Sequence, residues 1–205
     1  MTQVSGDIQR LKSDLRGELR ARRALLFKQA APEIYMAARA HFLKSIELPG
    51  GCVIAGYWPI RDEFDSRPLM EAIAARGGRL VLPVVAGDSG QLIFREWQPG
   101  GPLVPAGMGT LGPPPGVREA LPDIVIAPLL AFDRQGCRLG YGGGFYDRTM
   151  TALRATGKCR TAAGLAFSAQ RVQQVPSGDG DARLNVIVTE TGIVWPRVSG
   201  MPEDT

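Results

Sequence analysis

Histidine is nearly absent from this chain of 205 residues, which carries only His41. A multi-histidine metal centre is therefore excluded, and His41 itself falls in a stretch with helical patterning, where an imidazole is ordinarily solvated or packed. Cysteine is scarce as well. Cys52, Cys137 and Cys159 are odd in number and lack paired spacing, which fits reduced thiols and not a disulfide framework or zinc site. No Ser-His or Cys-His pair suggests nucleophilic catalysis. No apolar run approaches the ~20 residues needed to cross a bilayer. The opening Met-Thr-Gln-Val-Ser-Gly-Asp lacks the basic-then-apolar layout of a secretory signal, and Asp7, Asp14 and Glu18 argue against a mitochondrial presequence. A cytoplasmic protein with no membrane partner is expected.

One common nucleotide signature is also missing: there is no G-x-x-x-x-G-K-[ST] loop. Lysine is rare, with 4 against 20 arginines, yet the net charge is +4. That balance suits anionic ligands such as nucleotides, polyglutamate tails or nucleic acid, and does not choose among them.

What is present alternates helix with strand. Ser5 is placed to cap a helix from Asp7, with Ile8, Leu11, Leu15, Leu19 and Leu26 forming its apolar face. Lys12, Arg16 and Arg20 make an i, i+4, i+8 row beside that face, which in an arbitrary helix is a solvated basic edge. Pro32 ends this helix or opens the next, which runs to about Ile46. Strands are expected at Cys52–Trp58, Arg79–Val85, Gln91–Trp97, Asp123–Ala127, Arg160–Phe167 and Leu184–Thr189, with Pro83 putting its strand near an edge or bulge. Helices are expected from Ser66 to Gly77 and from Phe145 to Ala155. Residues 99–116, with twelve glycines and prolines in eighteen positions, read as an irregular surface loop. The pattern predicts one α/β domain over 1–196, a mostly parallel central sheet with helices on both faces, and a flexible tail at 197–205. Ligands of such sheets bind beyond the carboxyl ends of the strands, where the loop after Trp58 and the loop 138–147 can converge.

Residues 138–148, Arg-Leu-Gly-Tyr-Gly-Gly-Gly-Phe-Tyr-Asp-Arg, name a chemistry. Gly142, Gly143 and Gly144 let the backbone lie flush against a ligand. Arg138 and glycine amides suit phosphate oxygens, the Asp147 carboxylate suits a hard cation, and the rings suit a flat heterocycle. A bare triple glycine is most often a turn; the full motif is more specific. It resembles the R-L-G-Y-G-G-G-Y-Y-D-R motif common in bacterial 5-formyltetrahydrofolate cyclo-ligases. Lys12-Ser-Asp-Leu-Arg16, Gly56-Tyr-Trp-Pro-Ile-Arg-Asp-Glu63, Pro128–Asp133 with Gly136, Leu165-Ala-Phe, Val175-Pro and Asp181 resemble further elements of that family in the same order.

The resemblance implies ATP-dependent conversion of 5-formyltetrahydrofolate to 5,10-methenyltetrahydrofolate, with Mg²⁺, and an architecture like that of phosphosugar isomerases and CoA-transferases. Lys12, Arg16 and Arg138 match positions that act on ATP phosphates, and Arg138, Leu139, Gly140, Tyr141, Gly142, Gly143, Gly144, Phe145 and Tyr146 match the ATP-contacting segment. Trp58, Glu63 and Tyr141 to Phe145 match folate contacts. Asp147 and Asp181 match magnesium ligands. Two departures stand out: Phe145 replaces a frequent tyrosine, and Asn185 stands where many relatives have aspartate. A monomer is expected, with a dimer as the alternative, and small molecules as the partners. The competing readings are a diverged paralogue of the same fold acting on another substrate and an RNA-binding module. The chain lacks the RNP-like motif and basic tract that the latter needs.

Overall fold

Short β-branched runs bounded by glycine and proline become strands, and the longer polar-apolar stretches between them become helices. The computed structural model describes residues 2–85 and 90–196, so the tail expected at 197–205 lies outside the described residues. Two helices come first, α1 (Thr2–Gln29) and α2 (Pro32–Ser45). There follow β1 (Val53–Ala55), α3 (Arg67–Ala75), β2 (Arg79–Val85), β3 (Leu92–Trp97), β4 (Val104–Pro105), β5 (Leu111–Gly112) and β6 (Ile124–Ala127). The chain continues through β7 (Ala131–Phe132), β8 (Arg138–Leu139), α4 (Phe145–Ala155), β9 (Thr161–Leu165), a 3-10 turn at Ser168–Gln170, β10 (Val186–Thr189) and β11 (Gly192–Val194).

Seven strands make one sheet in the order β11-β10-β9-β6-β1-β2-β3. The pairs from β10 through β9, β6 and β1 to β2 are parallel, and the antiparallel β11 and β3 close the two edges. Side chains alternate across it, as a two-residue period requires. Ile54, Leu80, Leu82, Ile126 and Val188 pack with α2 and α3 on one face. Val53, Val81, Val125 and Ile187 pack with Met150 and Leu153 of α4 on the other. Helices thus cover both faces, as the alternating pattern predicted. No helix among the described residues is long and apolar enough to cross a membrane.

Several local expectations need correction. Helix α1 begins at Thr2, so Ser5 lies inside it instead of capping it. Leu11 is 53% exposed, because the inward stripe of α1 runs through Ile8, Lys12, Leu15, Arg16, Leu19 and Arg23. Most strands are shorter than expected, β1 most of all, whereas β2 spans Arg79–Val85 as expected. Pro83 sits in a strand paired with β3 throughout, but β1 stops opposite Val81, so the missing N–H faces no ladder partner on that side. The glycine- and proline-rich segment is not wholly irregular: β4 and β5 form a small hairpin within it.

Candidate active site

A cleft of about 380 Å³ opens beyond the carboxyl ends of β1, β2 and β6, bounded there by Trp58, Val85 and Pro128. This is where a parallel sheet leaves room for a ligand. Helix α1 forms one wall. Its Lys12 is buried, and Nζ lies 2.5 and 2.6 Å from the two carboxylate oxygens of Asp181. One turn on, Arg16 Nε donates to the Gly140 carbonyl at 3.0 Å. The Arg20 guanidinium stands 5.6 Å from the centre of the Tyr141 ring. The basic row is therefore part of the cleft, and Lys12 is not a solvated edge.

The glycine motif forms the facing wall. Arg138 and Leu139 are buried in β8, paired with β7, before the chain turns through Gly140–Gly144 into α4. Gly142 has φ of +108°, and a Cβ there would lie 3.2 Å from Arg16 Cζ. Gly144 caps α4 in the left-handed region with φ of +67°, where a Cβ would come 2.5 Å from an Arg148 terminal nitrogen. Each position thus favours glycine for its backbone, and a side chain there would also push on a neighbouring guanidinium. Since Phe145, Tyr146 and Asp147 of the first turn of α4 line the cleft, the helix N-terminus adds to its attraction for anions. The Phe145 ring lies 5.4 Å from the Arg148 guanidinium.

The two candidate metal ligands are engaged differently. Asp147 Oδ1 accepts from Arg138 at 2.7 Å and from the Ala182 amide at 3.0 Å, while Oδ2 accepts no bond among the described residues. Burial lowers the pKa of Arg138, and the Asp147 charge opposes that shift. Asp181 is fully occupied, since Lys12 reaches both its oxygens and the Gly178 amide donates to Oδ2 at 2.7 Å. Two carboxylates at one cleft are hard oxygen donors. They fit a cation that takes few protein ligands and keeps water and phosphate oxygens for the rest, provided Lys12 releases Asp181. No cluster of three or more metal-ligating side chains occurs among the described residues.

On the β1 side, Glu63 is only 3% exposed. Burial lifts its pKa to about 7, against the opposing pull of the Ile60 amide, the Arg23 cation and the Tyr141 hydroxyl. The Ile60 N–H donates to Oε2 at 2.9 Å. Trp58 meets Trp97 edge to face at 5.8 Å, and Arg67 covers it at 5.7 Å.

The cleft therefore brings together Lys12, Arg16, Trp58, Glu63, the whole run from Arg138 to Asp147, and Asp181. Sequence reasoning missed several contributors, three of which bear on the chemistry or shape of the cleft. Met108 and Leu111 of the β4–β5 hairpin line the cleft, and no motif marks them. Arg23, fully buried behind the cleft, was legible only as the position four residues after Leu19 on the inward stripe. Asn185 lies elsewhere: its Oδ1 accepts from the Ala162 amide at 2.8 Å and from Arg154 at 3.0 Å, joining β9 to the start of β10.

Fold and cleft together define an α/β enzyme with a cationic, glycine-walled site at the strand ends. Residues 8–190 match the 5-formyltetrahydrofolate cyclo-ligase family, and the chain belongs to that family. It is 33% identical over 182 residues to the 5-formyltetrahydrofolate cyclo-ligase of Escherichia coli K12, covering 86% of this chain and 98% of that protein. It is 32% identical over 200 residues to the Mycolicibacterium smegmatis protein of the same name, covering 90% and 97%. The fold superposes on the NMR structure of Aquifex aeolicus 5,10-methenyltetrahydrofolate synthetase with a TM-score of 0.74 at 26% identity, covering 95% of this chain and 97% of that one.

Proposed function

We propose that this enzyme cyclises 5-formyltetrahydrofolate to 5,10-methenyltetrahydrofolate, consuming ATP and releasing ADP and phosphate. The observation that carries the reading is the meeting of two walls at one cleft. One is the cationic and glycine wall of Lys12, Arg16 and 138–147, and the other is the acceptor and aromatic wall of Glu63 and Trp58. The first suits a triphosphate, the second a flat heterocycle with N–H donors.

The chemistry follows from the substrate. A formamide carbonyl is a poor electrophile, and its oxygen leaves badly as hydroxide. Transfer of the γ-phosphoryl group to that oxygen, with ADP leaving, makes the carbon iminium-like and the oxygen a good leaving group. N10 of the same folate then attacks the carbon, the C–O bond breaks, and phosphate departs with the N10 proton lost to solvent. Ring closure is intramolecular and gains from a held geometry. Phosphoryl transfer needs positioning and charge stabilisation more than a protein nucleophile, which accords with a chain lacking a Ser-His or Cys-His pair.

In this reading Arg138, Lys12 and Arg16 neutralise phosphate oxygens, and Leu139 to Tyr146 supply the nucleotide's surroundings. Glu63 accepts from the pterin's amino and ring N–H groups, while Trp58, Tyr141 and Phe145 pack against the folate. Asp147, with Asp181 once Lys12 has turned to phosphate, is the place for Mg²⁺, which when bound offsets charge on the phosphates. A test is direct. Glu63→Gln puts an amide where the pterin needs an acceptor, and should weaken folate binding about ten- to a hundredfold with ATP binding kept. Unchanged folate affinity would remove Glu63 from the site.

A further inference from the structure

Arg23 belongs to no motif, does not line the cleft, and is 1% exposed. Its guanidinium nevertheless joins four of the segments that build the site. Nε donates to Asp62 Oδ2 at 3.0 Å, one terminal nitrogen donates to the Leu129 carbonyl at 3.1 Å, and the other donates to the Tyr141 hydroxyl in a short bond. The same group lies 5.2 Å from the centre of the Tyr141 ring. Helix α1, the loop after β1, the chain leaving β6 and the glycine loop thus meet on one side chain.

The direction of these bonds matters. A guanidinium has donors and no acceptor, so the Tyr141 oxygen must accept from Arg23 and its own proton must point elsewhere. Tyr141 and Glu63 line the same cleft, where the Tyr141 hydroxyl favours the Glu63 charge. We propose that Arg23 is a positioning residue which aims the Tyr141 hydroxyl at Glu63, so that an ionised and oriented carboxylate meets the pterin. The proposal rests on the reading of Glu63 as the folate acceptor. The groups around Glu63 set the expected sign. Arg23 from α1 and the Tyr141 hydroxyl from the glycine loop favour its charge, as does the Ile60 amide, whereas its neighbour Asp62 opposes it. Burial raises the pKa values of Tyr57 and Tyr146, and the charge of Glu63 adds to both shifts. Removing Arg23 takes away one of the three favourable influences and the anchor of a second, while leaving Asp62 without its partner.

The test is calorimetric titration of 5-formyltetrahydrofolate into the full chain, without nucleotide, from pH 6 to 9. Near pH 7, Arg23→Met should weaken folate binding about tenfold, as expected for one charged hydrogen-bonding partner lost. The loss should shrink as pH rises, because alkali restores the Glu63 charge. ATP affinity should hold, and Arg23→Lys should recover part of the loss. In a Tyr141→Phe background the same change should have much less effect, since the relay is already cut. A penalty equal at every pH, or equal in both backgrounds, would overturn the proposal. If Arg23→Met does not fold, Arg23→Lys carries the comparison, for lysine keeps the charge but cannot reach all three partners together. A Glu63→Gln variant titrated alongside separates the causes. Unchanged folate affinity in that variant rejects the reading of Glu63, whereas a loss there with no effect at Arg23 rejects only the relay.

Discussion

Lys12 Nζ stands 2.5 Å from Asp181 Oδ1, a candidate phosphate-binding cation closed onto a candidate metal-binding carboxylate. Arg138 and Asp147 repeat the arrangement at 2.7 Å. Two of the cleft's cations are thus each paired with a carboxylate, and on the proposed reading Mg-ATP binding would exchange these protein partners for phosphate and metal. Lys12→Met should therefore act in opposite directions on the two ligands. Nucleotide affinity should fall about tenfold or more, as for a lost charged contact. Divalent-cation affinity without nucleotide should rise, because Asp181 is freed. Mn²⁺ titration followed by electron paramagnetic resonance reads the second effect; weaker Mn²⁺ binding in the variant would count against the exchange.

Glu63 links the site to pH. Its pKa of about 7 lies above the ordinary value of 4.5, so the folded chain holds a proton that the unfolded chain releases between those limits. The contribution of this group to stability is present below about pH 4.5 and is lost as pH rises towards 7. Glu63→Gln should then raise the melting temperature at pH 8, where the charge is otherwise buried, by an amount worth at most about 3 kcal/mol. Folate affinity of the wild type should move the other way, improving as pH climbs through about 7. Thermal melts and folate titrations across pH 5–9 check both; parallel trends would contradict the assignment.

Gly142 is constrained twice, by φ of +108° and by Arg16 packed across it. Gly142→Ala should cost about 1–3 kcal/mol of backbone strain and displace the Arg16 guanidinium. Loss of nucleotide affinity well before loss of fold is the expected pattern, read by ATP titration with circular dichroism as control. A variant with normal ATP binding would show that Arg16 does not depend on this approach.

Asp147→Asn should raise the magnesium requirement and lower the rate with the fold retained, because a charge beside the phosphates is lost. Asn185→Asp should change neither, since an aspartate can accept the same bonds from Ala162 and Arg154. Magnesium titration of turnover in both variants checks the contrast. A normal magnesium dependence in folded Asp147→Asn would rule out the metal site.

Much of this was legible before any coordinates. Alternation of apolar runs with helical stretches predicted the parallel sheet, because burial on both faces leaves continuous runs such as Ile124–Ala127. The glycine motif marked one wall of the cleft, because the left-handed backbone at positions 142 and 144 favours glycine. The less legible parts depend on tertiary partners. Strand β11 is a three-residue edge with no periodic signal, and β4–β5 pairs within a segment whose composition reads as loop. Leu11 fits the apolar face of α1 by spacing, yet the helix presents Lys12 and Arg23 inward, because their charges find Asp181 and Asp62 there. Periodicity counts apolar residues and cannot see a charge that is buried against its partner.

ATP-driven ring closure at this cleft is tested most directly by turnover. Purified protein incubated with 5-formyltetrahydrofolate and Mg-ATP should form the methenyl product, followed by its absorbance, with one phosphate released per ring closed. Omitting ATP should abolish both signals. Methenyl product appearing at the same rate without ATP would contradict the account.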